Sequence, residues 1–247
     1  MRLVDFEVAG WGEFGGSGPV ERASYAERVL SLGPAGYWRL GDDGPGVADR
    51  AGGPAGLVTG GGVTGVAGSL GCDVDGAMRF EGSGAVAVGR GVLPADGSAV
   101  TIGCRVRMTA AVKGVLVSQY EQSGGVADPQ RFGLRVSAEG CVGWWKGGVM
   151  LAESAVSVSD GDWHSVVGSR SGSGDVVLWV DGEVAAGGSD GQGFQATETT
   201  LGCFPGVFSL TGALDEVFVV PDVVEAEAVR SLHAMAVGVP EVIGGAA

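Results

Sequence analysis

The residues able to do chemistry in this chain are few. There are two histidines, His164 and His233. A nucleophilic triad would need a hydroxyl or thiol and a carboxylate around one of them, and no Gly-x-Ser-x-Gly elbow is present. His164 follows Trp163 in a strand-like run, which predicts a core or interface histidine. Glycoside hydrolysis needs two carboxylates facing one sugar ring. Asp215 and Glu216 are adjacent, and adjacent strand residues point to opposite faces, so the sequence predicts no catalytic pair there. Cys72, Cys104, Cys141 and Cys203 are far apart, without the paired spacing of zinc ligands, and free, mostly buried thiols are expected. Trp144 and Trp145 are adjacent, so one ring should enter the core and the other face outward. The outward ring, with Tyr120, could stack on the apolar face of a sugar, or pack beneath the polar stretch 121–131 (EQSGGVADPQR), the longest polar insertion among the strands and a natural recognition loop.

The elements that position these residues are written in period and punctuation. Glycine supplies 49 of 247 residues, about a fifth, against ~7% in average proteins. Yet 45% of the chain is apolar and no Gly-X-Y period runs through it, which excludes collagen and a disordered tract. The length is enough to bury a real core. The balance of 15 basic to 29 acidic residues gives a net charge of −14. That argues against a nucleic-acid duplex and against anionic lipid as partners. The sequence has no asparagine, so no N-linked glycan can attach. Asp5, Glu7 and Glu13 interrupt the apolar run that a secretory signal needs, and no stretch of ~18 apolar residues could span a membrane. The chain is expected to fold in the cytoplasm of the cell that makes it.

Residues 1–19 carry Phe6, Trp11 and Phe14 among glycines. They read as an extended arm, either a tail without structure or an anchor whose aromatics dock on a neighbouring subunit. Residues 21–32 put Ala23, Ala26, Val29 and Leu30 at helical spacing, and Gly33-Pro34 stops the helix. A short strand is expected over 36–42, then a long loop or weak turns over 43–71. From Asp75 onward, valine-rich runs of 4–9 residues alternate with period 2 and are broken by glycine, serine or aspartate. Asp181-Gly182 within Val180–Val184 predicts a type I′ hairpin turn, and a second helix should follow Pro221. This pattern predicts an all-β antiparallel two-sheet jelly-roll sandwich with a short N-terminal and a C-terminal helix, organised as arm 1–19, domain 20–236 and tail 237–247.

Six segments in order resemble the laminin-G-like jelly rolls of the concanavalin A-like lectin/glucanase superfamily. They are Gly36-Tyr37-Trp38-Arg39-Leu40-Gly41-Asp42, Ala77-Met78-Arg79-Phe80-Glu81-Gly82-Ser83-Gly84 and Val100-Thr101-Ile102-Gly103-Cys104-Arg105-Val106-Arg107, followed by Asp160-Gly161-Asp162-Trp163-His164-Ser165-Val166-Val167, Val177-Leu178-Trp179-Val180-Asp181-Gly182 and Gly212-Ala213-Leu214-Asp215-Glu216-Val217. The Glu-x-Asp-x-x-Glu strand motif of related glucanases is missing, so the resemblance implies no enzyme. Such domains often hold a structural calcium, for which Asp42, Asp49 and Asp215 are the candidate ligands; the alternative is that Asp215 caps a turn or accepts backbone hydrogen bonds. The opening segment YAERVLSLGPAGYWRLGD is similar to that of such domains in bacteriophage virions. The resemblance therefore implies a non-enzymatic virion protein, a capsid decoration or minor tail protein. Its expected partners are other virion proteins, copies of itself and host-surface glycans, and the alternative is a carbohydrate-binding module of a bacterial surface protein. Trp163 and Trp179 are expected between the sheets.

Overall fold

The computed structural model describes residues 23–71, 73–94, 96–120, 132–194, 198–204 and 208–238. The arm with Phe6, Trp11 and Phe14, the stretch 121–131, Cys72, the end of the tail and the side chains of Tyr120 and Phe204 lie outside that description. The chain opens with α1 (Tyr25–Ser31), β1 (Gly36–Trp38), β2 (Gly46–Val47), β3 (Gly56–Thr59) and β4 (Val63–Ala67). Then come β5 (Gly76–Glu81), β6 (Ala85–Arg90), β7 (Val100–Arg107), β8 (Gly114–Tyr120) and β9 (Phe132–Val136). These lead to β10 (Cys141–Lys146), β11 (Val149–Ser157), β12 (Trp163–Arg170), β13 (Asp175–Val180) and β14 (Glu183–Ser189). β15 (Glu198–Leu201), β16 (Cys203–Phe204), β17 (Phe208–Ser209), β18 (Thr211–Val220) and α2 (Ala226–Ala236) close the fold.

Local chemistry sets the boundaries. A capping box starts α1: the Glu27 N–H donates to Ser24 Oγ at 3.2 Å, and the Ser24 N–H donates to the Glu27 carboxylate at 2.7 Å. Gly33, at φ 68°, ends the helix. Asp181 and Gly182 adopt φ 52° and 80°, the two positive values that a type I′ turn requires.

Two antiparallel sheets form the sandwich. One runs β14-β13-β12-β7-β18-β5-β4, with β1 beside β18, and the other runs β11-β10-β9-β8-β15-β6-β3-β2. Alternate residues of both meet in the core, where Trp38, Phe80, Ile102, Phe132, Trp144 and Phe194 are fully or almost fully buried. The outer face of the first sheet is apolar too. Tyr37, Val167, Trp179 and Phe218 pack there under Val29 of α1 and Val229 and Leu232 of α2, so the two helices seal that face. Among the described residues, the outer face of the second sheet carries a small apolar cluster, Val115 and Trp145 with Met150 and Phe208 against them.

Three expectations are corrected. Residues 43–71 are not a loop: they supply β2, β3 and β4, whose glycines break the alternation that would have revealed them. Trp163 and Trp179 do not lie between the sheets. Trp179 is buried beneath the helices, and Trp163 is partly exposed under the Arg107 guanidinium, 4.9 Å from the ring centroid. Trp38 and Trp144 fill the inter-sheet gap instead. Finally, Asp215 and Glu216 do not point to opposite faces. Leu214 and Val217 both enter the inter-sheet core and Phe218 faces the helices. Glu216 is the extra residue of a bulge, at φ 51° with a register shift between Asp215 and Phe218, so both carboxylates turn to the helix-covered side.

Candidate functional site

Beneath α1, the bulge places Glu216 against Tyr37 and Arg39. The Tyr37 hydroxyl donates a short hydrogen bond to the Glu216 carboxylate. Arg39 donates to Glu216 at 3.0 Å and to Asp73 at 2.5 Å, and it pairs with Asp75 at 3.0 Å. The Asp215 carboxylate accepts the backbone N–H groups of Ser69 (2.7 Å) and Glu216 (2.9 Å). Burial, then the neighbouring Glu216 charge, pushes the Asp215 carboxyl up to about 7. Burial also raises Glu216, against the opposing pull of Tyr37 and Arg39. An open cleft of about 470 Å³ lies beside Arg39, Asp73 and Asp75. These contacts tie the 69–75 segment and β1 to β18, a structural role.

His164 joins β12 to two turns. Its Nδ1 lies 2.7 Å from Asp181 and its Nε2 2.9 Å from Asp160. The Asp181 hydrogen bond, reinforced by Asp160 against the effect of burial, pushes the imidazole up to about 9. Ser165, His233 and Asp181 are also neighbours, with His233 Nδ1 3.1 Å from Ser165 Oγ and 3.7 Å from Asp181 Oδ1. A triad needs the two ring nitrogens to serve the hydroxyl and the carboxylate separately. Here one nitrogen faces both, and Arg105 donates to Ser165 Oγ at 2.6 Å. The arrangement locks the hairpin turn to β12.

The three candidate calcium ligands do not converge. Asp49 accepts the N–H groups of Tyr37 and Ala51, both at 2.9 Å. Asp42 accepts the Ala48 N–H at 2.9 Å and pairs with Arg50 at 3.2 Å. Calcium takes six to eight oxygen ligands, and backbone N–H groups crowd these carboxylates. Among the described residues no group of three His, Cys, Asp or Glu side chains could hold a metal ion. The described cysteines Cys104, Cys141 and Cys203 are free, and burial pushes the Cys104 thiol up to about 12. No helix among the described residues is long and apolar enough to cross a membrane.

The adjacent tryptophans divide as alternation requires. Trp144 is wholly buried, its indole N–H donating to Asp190 at 3.2 Å, so it offers no face to a ligand. Lys146 donates to the same carboxylate at 2.9 Å, and Arg170 approaches it within 3.6 Å. Trp145 turns to the outer face of the second sheet, but only 8% of it is exposed. The Arg135 guanidinium covers it, 4.8 Å from the Trp145 centroid and 4.6 Å from that of Phe208. Register explains this layering. Gly133 lies opposite Trp145 and Gly143 opposite Arg135. A Cβ on Gly133 would stand 3.0 Å from Arg135 Cγ, and one on Gly143 would stand 2.1 Å from Met150 Sδ. The two glycines give the long side chains room to lie flat. Tyr120 ends β8, paired with Glu198 of β15. Sequence reasoning missed Arg135 and Phe208, since an arginine at an outward strand position is ordinary and Phe208 reaches it only through the β16–β17 hairpin.

This architecture is that of a lectin-like jelly roll, and the sequence agrees with it. Residues 80–230 match the Laminin_G_3 model of the concanavalin A-like lectin/glucanases superfamily, and the chain belongs to that family. No curated protein matches the sequence. Among solved structures, domain 4 of AbnA, a GH43 extracellular arabinanase from Geobacillus stearothermophilus solved with arabinotriose, is similar at a TM-score of 0.66 and 15% identity, over 81% of this chain and 98% of that one. The binding domain of Paraclostridial Mosquitocidal Protein 1 follows at 0.58 and 13%, over 79% of this chain and 51% of that one. Trypanosoma rangeli sialidase with the inhibitor DANA gives 0.59 and 12%, over 80% of this chain and 32% of that one. The chain thus spans about half of the toxin domain and a third of the sialidase chain. At these identities the likeness speaks to fold.

Proposed function

We propose that this chain is a non-enzymatic recognition protein of a bacteriophage virion, a capsid decoration or minor tail protein that presents its jelly roll to glycans on the host surface. The observation that carries the glycan reading is the asymmetry of the two faces. Two helices seal one sheet, while the other turns Trp145, Arg135 and Phe208 outward beside Val115 of β8. Aromatic edges beside a polar group suit a sugar ring, which has apolar faces and hydroxyl rims. The His164, Ser165 and Glu216 clusters are bound up in structural contacts, which favours binding over catalysis. The virion reading rests on the opening segment and on the aromatic arm with Phe6, Trp11 and Phe14, which would anchor copies of the chain to other virion proteins. The net charge of −14 favours dispersed, repelling copies and disfavours polyanionic ligands. One observation favours the second reading, a carbohydrate-binding module of a bacterial surface protein: the fold covers nearly all of a single arabinanase domain.

Two measurements test the proposal. Electron micrographs of particles labelled for this protein should place it on the head or tail surface, and labelled cells without particles would favour the surface-module reading. Multivalent display of the folded chain should bind host cells, with loss on Trp145→Ala. A folded Trp145 variant that binds as before would move the glycan site away from this face.

A further inference from the structure

A guanidinium taken out of water should be paired, because burying an uncompensated charge is expensive. Arg135 is 8% exposed, and its Nε has no hydrogen-bond partner. Among the described residues no carboxylate pairs with it: no ion pair or hydrogen bond involves it, and its contacts are the Trp145 and Phe208 rings. Burial alone pushes its pKa down, and no acidic neighbour raises it. This sets it apart from the other deeply buried cations. Lys146 holds Asp190 at 2.9 Å, Arg170 lies 3.6 Å from Asp190 and donates to four backbone carbonyls, and Arg105 donates to Ser165. A second cation reinforces the spot, since Lys113 Nζ stands 5.8 Å from the Phe208 ring. On a chain with net charge −14, this is a local positive site on the sheet face that neither of the described helices covers. The guanidinium is clamped between two rings on a strand, so its fork is pre-oriented and little side-chain freedom remains to be lost on binding.

We propose that this site binds a sugar bearing a single carboxylate, a uronic acid residue of a host-surface polysaccharide, with Arg135, held on the Trp145 ring, as the carboxylate receptor and the half-buried Phe208 ring against the pyranose ring. The proposal rests on the glycan-binding reading above and names its ligand class. A planar carboxylate matches the guanidinium fork in a way that hydroxyls do not. One unpaired guanidinium suits one carboxylate, whereas a polyphosphate chain would be repelled by the acidic surface.

The test is a multivalent glycan panel of neutral oligosaccharides each carrying one glucuronate or galacturonate residue, their fully neutral glucose and galactose counterparts, and glycerol-phosphate oligomers, read on the full chain and on Arg135→Met, Arg135→Lys and Lys113→Ala. The expected result is binding to a uronate oligosaccharide, at least tenfold weaker for Arg135→Met, with partial retention in Arg135→Lys. Arg135→Met should keep or raise the thermal midpoint, because methionine fills similar volume without an unpaired charge, so loss of binding would not reflect loss of fold. Uronate binding that survives Arg135→Met, or preference for glycerol phosphate, would overturn the carboxylate assignment. Binding to neutral glycans alone, unchanged in the Arg135 variants, would overturn it while leaving the glycan reading standing. No binding to any member, together with no binding to host cells, would overturn both.

Discussion

Replacing His164 with glutamine should remove a stabilising contribution that depends on pH in a defined window. In the folded chain the imidazole lies between Asp181 at 2.7 Å and Asp160 at 2.9 Å, which lifts its pKa from the ordinary 6.5 to about 9. A group that holds its proton more tightly when folded stabilises the fold fully below its unfolded pKa, and that contribution fades as pH rises through the folded value. The difference corresponds to roughly 3 kcal/mol at 1.36 kcal/mol per tenfold in proton affinity. The partners are partly wet, with the Asp160 side chain 56% and the Asp181 side chain 35% exposed. Solvent screening brings the expectation to about 1–2 kcal/mol. His233 does not confuse the reading, because burial lowers its pKa and it is neutral over the upper window. Asp215, lifted to about 7 by burial, loses stability mostly between pH 4 and 7 and does so in wild type and variant alike.

Urea denaturation followed by tryptophan fluorescence, at pH 6 and pH 9.5, measures the effect. The gap between wild type and His164→Gln should be about 1–2 kcal/mol larger at pH 6. The imidazole resonances should titrate near pH 9 in the folded protein. An equal gap at both pH values, or a His164 resonance titrating near 6.5, would refute the ion-pair reasoning and make the contact a neutral hydrogen bond.

Core substitutions should sort the tryptophans. Trp144→Ala should destabilise by ~3–5 kcal/mol, as a buried aromatic does, whereas Trp163→Ala should cost less than ~1.5 kcal/mol in the same denaturation assay. Glu216→Gln removes one of the three carboxylates that pair with Arg39 and should destabilise by about 1–2 kcal/mol in the same assay, the remaining Asp73 and Asp75 pairs still compensating the guanidinium. Deleting residues 1–19 should leave the thermal midpoint of the sandwich within a few degrees while abolishing incorporation into particles; full occupancy by the truncated chain would remove the arm from the assembly argument.

The fold was legible because strands with one buried face announce themselves by alternation. The run at 163–170 became β12, and the run at 175–186 became β13 and the start of β14 around the Asp181-Gly182 turn. Alternation failed where the backbone leaves the strand geometry it assumes. Glu216 sits in a bulge at positive φ, so counting by twos put its carboxylate on the wrong side. In 43–71 glycine replaced the side chains that carry the signal. The tryptophans at 163 and 179 were misplaced for a different reason: α1 and α2 make the outer face of their sheet apolar, and a strand buried on both faces gives no indication of which ring meets which layer. Trp144 and Trp145 were assigned to opposite faces, yet the partner of Trp145 was not legible. Arg135 reaches it diagonally across β9 and β10, through room left by Gly133 and Gly143, a relation of register that no local window contains.

Charge placement links these features to function. The acidic excess keeps copies of the chain apart and repels polyanions, yet the deeply buried cations Arg105, Arg135, Lys146 and Arg170 lie inside that shell. Three of the four are tied to protein oxygens by hydrogen bonds. If burial of cations were only a device to orient strands, Arg135 would be tied in the same way, because an internal partner stabilises more than two ring faces do. Its position on the sheet face opposite the helices supplies the difference: a ligand carboxylate can complete the pair there, and nowhere else among these four. Weak single-site affinity would then suffice, since copies arrayed on a particle raise the effective concentration of each further contact. An acidic shell around one cationic spot also filters ligands, admitting an isolated carboxylate on a sugar while rejecting a densely charged chain.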